Sequence, residues 1–291
     1  MKAFRYCRLL LLLAVSMPIA AVGQTAPAQS DPGSSEQTPA NVINCGTFAA
    51  SDARLDLVSK LCVFALTYRR KLPDFIAEQT TTSHGARSTT VISAQVTFRK
   101  GVEHYSNVTI DGKPASADSI THSPPEFVRF TSSGEFGSLL IDLFAVPGAA
   151  EFKFRKMSTL QGVPVAVYDF RVPQNKNAFW SLRDSSGETL KPEFRGELWL
   201  EQQTGRLLRE QLEPVVLASS TGISSARLVT DYAMAAIGDA GTFLLPVKSV
   251  STLCAASFAA SRACTTNVLV FHDYRKFGAT THISTSEDPK P

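Results

Sequence analysis

The first strong hydrophobic pattern in the chain predicts an amphipathic helix. Its apolar positions recur three or four residues apart, at Leu57, Leu61, Phe64 and Tyr68. This spacing places them on one face of a helix. Ser51 or Asp52 can cap the start, and Pro73 follows the expected end near Lys71. Such a stripe either packs on the protein's own sheet, as surface helices normally do, or binds a partner.

A shorter helix is predicted over residues 136–144. Helical spacing is repeated there at Phe136, Leu139, Leu140, Leu143 and Phe144. Ser132–Glu135 has the S-S-G-E pattern of a capping box, and Pro147 followed by Gly148 ends the segment. The chain therefore carries two clear helices.

Most of the remaining chain alternates apolar and polar residues with a period of two, which predicts strands. Residues 90–98 and 152–155 show the alternation, and FRGELWLE and RLLREQL flank the turn QQTG as a hairpin. Counting such runs gives about nine strands, and their short connections indicate antiparallel pairing. The predicted fold class is α+β, with two or three helices on an antiparallel sheet.

Some predicted strands are apolar on both faces, and this suggests a binding surface. Helices covering both faces of a sheet would explain the pattern, and so would a curved sheet whose concave side holds an apolar ligand. The candidate ligand-binding residues are Phe136, Leu140, Phe144, Phe152, Phe154, Val165, Val167 and Trp199.

The N-terminus has the three-part build of a secretory signal peptide, predicted over residues 1–23. A basic stretch precedes an apolar run that ends at small residues. The run is shorter than the roughly 20 residues of a membrane span, so an uncleaved anchor is the less favoured alternative. We expect a disordered leader at 24–44, one α+β domain at 45–280 and a flexible tail at 281–291, in a protein that is periplasmic or secreted.

Cysteine usage agrees with export. Once Cys7 leaves with the signal peptide, four cysteines remain, and they allow three pairings. Cys254 and Cys264 flank a loop between two predicted strands, which favours a disulfide between them. Cys45 and Cys62 are then left to pair, which the geometry permits but the sequence alone does not fix. A metal site is not predicted, because the chain has no C-x-x-C spacing.

Charge narrows the choice of partners. The chain has 29 Lys and Arg against 26 Asp and Glu, a formal charge of +3. Three of the basic residues, Lys2, Arg5 and Arg8, belong to the predicted signal peptide, so the mature chain comes to 26 against 26. No basic stripe with interleaved aromatics is present, and nucleic acid is therefore not an expected partner.

Catalytic and cofactor motifs are absent from the sequence. It contains no G-x-G, no G-x-S-x-G and no H-E-x-x-H. Glu197 and Glu201 would lie about 13 Å apart along a strand, too far for a glycosidase pair. We therefore predict no cofactor, no catalytic residue and no enzyme activity. A hydrolase would need two converging groups from the set His104, His122, Glu197 and Asp231.

Several segments resemble known proteins. YRRKLPDFIAEQTT, SSGEFGSLLIDLF, VPVAVYDF, FLLPVKS and YRKFG look like an uncharacterised family of exported bacterial proteins. More distantly, the hairpin FRGELWLEQQTGRLLR resembles the periplasmic lipoprotein carriers and the related lipoprotein-like lipid binders. This resemblance implies a strongly curved antiparallel half-barrel with helices on its concave face, and a site for acyl chains.

Together these patterns predict an exported, non-enzymatic protein whose half-barrel binds a lipid, a lipidated or envelope protein, or another apolar ligand. After signal cleavage no transmembrane segment is expected. One alternative is a protein-interaction or sensory module without a ligand. A less favoured one is the hydrolase.

Overall fold

The computed structural model describes residues 43–85, 88–117, 136–144, 148–178, 180–183, 188–255 and 264–278. The predicted signal peptide, the leader up to residue 42 and the tail at 281–291 lie outside the described residues. So do His122 and the capping-box segment at 132–135.

The described part of the chain has three α-helices: α1 (Gly46–Ser51), α2 (Asp56–Lys71) and α3 (Ser138–Asp142). Helix α2 ends at Lys71, as predicted, but it begins later than expected. Asp52 does act as a cap, because its carboxylate accepts a hydrogen bond of 2.9 Å from the backbone N–H of Arg54. That cap opens a 3-10 turn at Ala53–Leu55, and α2 follows the turn.

Helix α3 is shorter than the predicted helix over 136–144. Gly137 has a left-handed backbone (φ 102°), so the helix begins after it, and Phe136 lies outside it. A Cβ at Gly137 would lie 2.4 Å from the Tyr68 ring, which means that only glycine allows this close approach to α2. The start of α3 is thus set by its contact with another helix.

Eleven of the described strands form one sheet, against about nine expected. Its strands are β1 (Phe75–His84), β2 (Thr89–Arg99), β3 (Val102–Ile110), β4 (Lys113–Pro114), β5 (Glu151–Leu160), β6 (Val163–Val172), β9 (Phe194–Glu201), β10 (Leu207–Pro214), β11 (Ile223–Ala236), β12 (Thr242–Ala255) and β13 (Cys264–Lys276). A separate pair is formed by β7 (Leu182–Arg183) and β8 (Thr189–Leu190).

The sheet is antiparallel, curved and unclosed, which confirms the α+β class and the half-barrel shape predicted from the sequence. Its strand order is β4-β3-β2-β1-β13-β12-β11-β10-β9-β6-β5. Among the described strands, β4 and β5 are therefore the two edges. Part of the excess in strand number is β4, which has only two residues.

The helices pack on one side of the sheet, which we call the inner face. Val58, Leu61 and Ala65 of α2 form one core with Tyr168 of β6 and Leu198 of β9. This confirms that the apolar stripe of α2 packs on the protein's own sheet. A second core lies near the C-terminal end of α2; it gathers Tyr68, Leu72, Phe75, Phe98, Phe136 and Phe271.

Two disulfides hold the chain, and both join the cysteines that the sequence analysis paired. Cys45 is bonded to Cys62 of α2, with 5.6 Å between their Cα atoms. Cys254 and Cys264 connect β12 to β13 at a directly paired position of the ladder. Disulfides form and persist in oxidising compartments.

Candidate ligand-binding site

Five of the eight predicted ligand-binding residues belong to the packed interior: three are buried in it, and Phe152 and Phe154 are half-buried against it. Phe136, Leu140 and Phe144 are at most 2% exposed. Phe144 stacks on Phe152 with ring centroids 5.3 Å apart, and Phe154 meets the ring of Tyr168 edge to face at 5.8 Å. These side chains fill space by contacting one another.

The other three lie on the opposite side of the sheet, which we call the outer face. Val167 pairs with Trp199, whereas the neighbouring pair Tyr168 and Leu198 points into the core. Because strand residues alternate between faces, Val165, Val167 and Trp199 point away from the helices. The structure therefore does not gather the eight residues into one site.

An open apolar pocket lies elsewhere, between α2 and the strands next to it. Its volume is about 300 Å³. Phe64, Tyr68 and Leu72 form the helix side. The sheet side is formed by Met234, Phe243 and Leu244. Met234 is 44% exposed although it lies opposite buried Leu244 in the ladder, so it presents apolar surface that the protein itself leaves uncovered.

Tyr68 fixes the helix side of this pocket to its sheet side. Its hydroxyl donates a hydrogen bond of 2.5 Å to the backbone carbonyl of Leu244 in β12. The side chain is almost fully buried, and this burial raises the pKa of Tyr68 well above its ordinary value. Tyr68 is therefore a neutral donor at any physiological pH, and the pocket wall is held by a buried hydrogen bond.

The turn between β9 and β10 forms the third wall. Gly205 adopts a left-handed backbone (φ 75°), and a Cβ there would lie 3.4 Å from Cβ of Lys60 on α2. Glu201 holds the turn by accepting hydrogen bonds from the Thr204 hydroxyl and from Nε of Arg206. The Thr204 hydroxyl, followed by Arg206, lowers the pKa of Glu201 below its ordinary value. The turn is thus a defined wall lying against α2.

Three cationic side chains line this pocket. Lys60 and Lys71 come from α2, and Arg206 comes from the turn between β9 and β10. The ammonium of Lys60 is 2.8 Å from Asp56, and the guanidinium of Arg206 is 2.7 Å from Glu201. Within the described residues, no carboxylate lies within ion-pair distance of Lys71. The pocket is therefore apolar inside, and Lys71 is the one lining cation that no carboxylate of the described residues neutralises in an ion pair.

None of the lining residues was among the predicted site residues. Phe64 and Tyr68 belong to the apolar stripe of α2 that the sequence shows, but the remaining walls come from distant segments. Periodicity assigns each of those segments to a strand or turn and gives no sign that they meet. The available signal was Phe64, a member of the α2 stripe that the fold leaves only half-buried.

The three described residues of the set proposed for a hydrolase do not form a cleft. Thr97 lies between Val96 and Phe98, which both point into the core, so Thr97 points to the outer face. His104 is the ladder partner of Thr97 and therefore lies on the outer face as well. Six strands separate its strand β3 from β9, which carries Glu197. Glu197 forms an ion pair with Arg155, and Asp231 forms one of 2.5 Å with Arg209. These carboxylates belong to surface ion pairs on the outer face.

Metal-ligating side chains are dispersed over the fold. Among the residues whose placement is described, no three His, Cys, Asp or Glu side chains come together as a metal site. Within that same part of the chain, no helix has the length and apolar character to cross a bilayer.

No protein-family model matches the chain, and no curated protein matches it in sequence. Several solved structures do. A LolA superfamily protein from Nitrosomonas europaea is 11% identical, with 76% of this chain and 94% of that chain covered and a TM-score of 0.40. A DUF1329 family protein from Desulfovibrio piger is 13% identical, with coverages of 78% and 95% and a TM-score of 0.41.

An outer membrane lipoprotein-sorting protein domain from Vibrio parahaemolyticus is 12% identical, with coverages of 74% and 92% and a TM-score of 0.38. The superfamily named by the hairpin resemblance is thus among the structures found. Because these TM-scores stay below 0.5, the matches carry no argument about the ligand or activity of this chain. The choice of a ligand therefore depends on the geometry and charge of the pocket.

Proposed function

We propose that this protein is an exported, non-enzymatic binding protein that holds the acyl chain of a lipid, or a similar apolar group, in the pocket between α2 and the sheet. The observation that carries the proposal is the uncovered apolar wall of the pocket, formed by Met234 against Phe64, Tyr68 and Phe243. Concave apolar sites of about 300–1,000 Å³ are typical of small-molecule binding.

Export is supported by two features. Both predicted disulfides are formed, and such bonds persist in oxidising compartments. The N-terminal sequence has the build of a signal peptide. Absence of enzyme activity is supported by the outer-face ion pairs of Glu197 and Asp231, which leave these carboxylates engaged with arginines.

The test fills the pocket by mutation. Met234→Trp places a larger side chain into the pocket, and Met157→Trp makes the same change at a methionine on β5 that is 61% exposed and lies outside it. Binding is measured by the fluorescence of Nile red, an uncharged dye, and by its displacement with dodecanol. Thermal unfolding of each variant checks that it is folded.

We expect Met234→Trp to weaken dye and dodecanol binding by more than about tenfold, equivalent to about 1.4 kcal/mol. Met157→Trp should bind as the parent does. If the folded Met234→Trp protein binds both molecules unchanged, or if the parent binds neither, the proposal is wrong.

A further inference from the structure

The cations around the pocket come from two separate elements. Lys60 lies in the second turn of α2, Lys71 at its end, and Arg206 on the turn between β9 and β10. A lysine in the last turn of a helix is expected from the helix dipole alone, which accounts for Lys71. That explanation does not reach Lys60, which lies three turns earlier on the same helix, or Arg206, which lies on the turn that packs against Lys60.

The described residues that line the pocket include these three cations and no carboxylate. The acids that pair with Lys60 and Arg206 are set back from it: Asp56 lies one helical turn earlier, and Glu201 lies under the turn, 14% exposed. The Lys60–Asp56 pair is exposed on both sides, and such a pair contributes about 0.2–1 kcal/mol, so a competing anion can share or replace Asp56 as the partner of Lys60.

Lys71 differs from the two arginines that precede it. The guanidinium of Arg70 donates back to the carbonyl of Leu66 on its own helix, and the side chain of Arg69 lies against Gly101 and Gly137. Lys71 alone of the three lines the pocket. An ammonium on a flexible stem can therefore reach an anionic group at the opening.

Size limits the rest of the ligand. A volume of about 300 Å³ lies at the lower end of ligand pockets. That space suits one acyl chain, and it is small for the two or three chains of a larger lipid. The ligand that fits both the lining cations and this volume has an anionic head and a single apolar tail.

We infer that the pocket selects single-chain amphiphiles with an anionic head, a carboxylate or a phosphate, held by Lys71 at its end of the pocket. This selectivity presupposes the acyl-chain binding proposed above. The tail supplies affinity through burial, and the head supplies specificity through the cations. Because the mature chain is formally neutral, the attraction is local to the opening and weakens with salt.

The test compares four probes that share one tail: dodecanoate, dodecyl phosphate, dodecanol and dodecyltrimethylammonium. Each displaces Nile red from the mature protein at low and high salt. We expect both anions to bind more tightly than dodecanol at low salt and the cation to bind least. Dodecanoate and dodecyl phosphate distinguish a carboxylate from a phosphate head.

Variants locate the effect. Lys71→Gln should weaken dodecanoate binding about three- to fivefold and leave dodecanol binding unchanged, since one exposed ion pair is lost. Lys156→Gln, on the exposed edge strand β5, is the matched control and should change neither.

The two proposals fail in different ways. If dodecanol and dodecanoate bind equally, or if Lys71→Gln acts no differently from Lys156→Gln, the anionic selectivity is wrong while acyl-chain binding stands. If neither dodecanol nor dodecanoate displaces the dye, acyl-chain binding is itself wrong.

Discussion

Gly196 in the FRGELWLE strand should tolerate no side chain. It lies in β9, opposite Phe170 of β6 on one side and Leu212 of β10 on the other. A Cβ placed on Gly196 would lie 1.8 Å from the backbone oxygen of Gln211 and 2.5 Å from Cζ of Phe170. Real Cβ atoms essentially never approach other atoms closer than 3.0 Å, so Gly196→Ala forces the strands to move.

The size of the effect follows from which atoms are in the way. A ring can rotate, but the Gln211 carbonyl belongs to the β9–β10 ladder and cannot move without straining its hydrogen bonds. Overpacking of a closed core costs about 1–3 kcal/mol, and contact with backbone places this case at the upper end, about 3 kcal/mol. For a domain of this size that corresponds to a fall in melting temperature of about 6–12 °C.

The assay is thermal unfolding of the protein followed by circular dichroism. Gly278→Ala is the matched control, because nothing lies within 4 Å of a Cβ at that position. It should melt within about 2 °C of the parent, since surface changes away from special features cost less than about 0.5 kcal/mol. If the melting temperature of Gly196→Ala equals that of the control, the inference that β9 and β10 leave no room for a side chain at this glycine is wrong.

Two further predictions concern the disulfide at α2 and a buried tyrosine. Replacing both Cys45 and Cys62 by alanine should lower the free energy of unfolding by about 3 kcal/mol, because the bond spans a sequence separation of 17; an unchanged urea midpoint would contradict this. Burial, together with the nearby charges of Asp56 and Asp52, raises the pKa of Tyr168 from 10.0 to about 12. The free energy of unfolding that this raised pKa contributes is thus complete below pH 10.0 and is lost as the pH rises towards 12. In urea titrations, Tyr168→Phe should therefore lose less stability than the parent between these pH values. Equal losses in the two proteins would refute the prediction.

The sequence predicts correctly those helix ends that are determined by residues close by in the chain. The end of α2 at Lys71 follows from its apolar spacing and from Pro73, both visible in the sequence. The start of α3 depends on Gly137 lying against the Tyr68 ring, a contact between residues almost 70 positions apart. Capping-box and spacing rules contain no information about such a contact, and the predicted helix was therefore too long.

The inner face was difficult to recognise from alternation because it is not uniformly apolar. Gln79, Thr230 and Ser249 are buried, and the hydroxyls of Thr230 and Ser249 are 3.1 Å apart. Gln79 donates to the Thr81 hydroxyl. A polar residue at an inward position is easily taken for an outward one in a two-fold pattern. On β6 and β9 both faces are apolar, so the candidate set mixed inner-face phenylalanines with outer-face Val165, Val167 and Trp199.

The pocket could not be predicted for a different reason. Its walls come from the end of α2, from Gly205 on one turn, and from Met234 and Phe243 on two strands. Each segment alone has an ordinary pattern. Only the register of β11 with β12 and the Tyr68 hydrogen bond to Leu244 bring them together.

The unclosed sheet has a consequence for how the protein behaves at high concentration. Edge strand β5 could accept a strand from another molecule, because half of its backbone groups face outward. Its exposed positions are mostly charged, at Glu151, Lys153, Arg155 and Lys156, and the ladder to β6 is irregular between Phe154 and Lys156. At the other end, β4 is two residues long and contains Pro114. Charged side chains, an irregular ladder and a proline thus oppose chain-to-chain stacking, which lets an open half-barrel stay dispersed without closing into a ring.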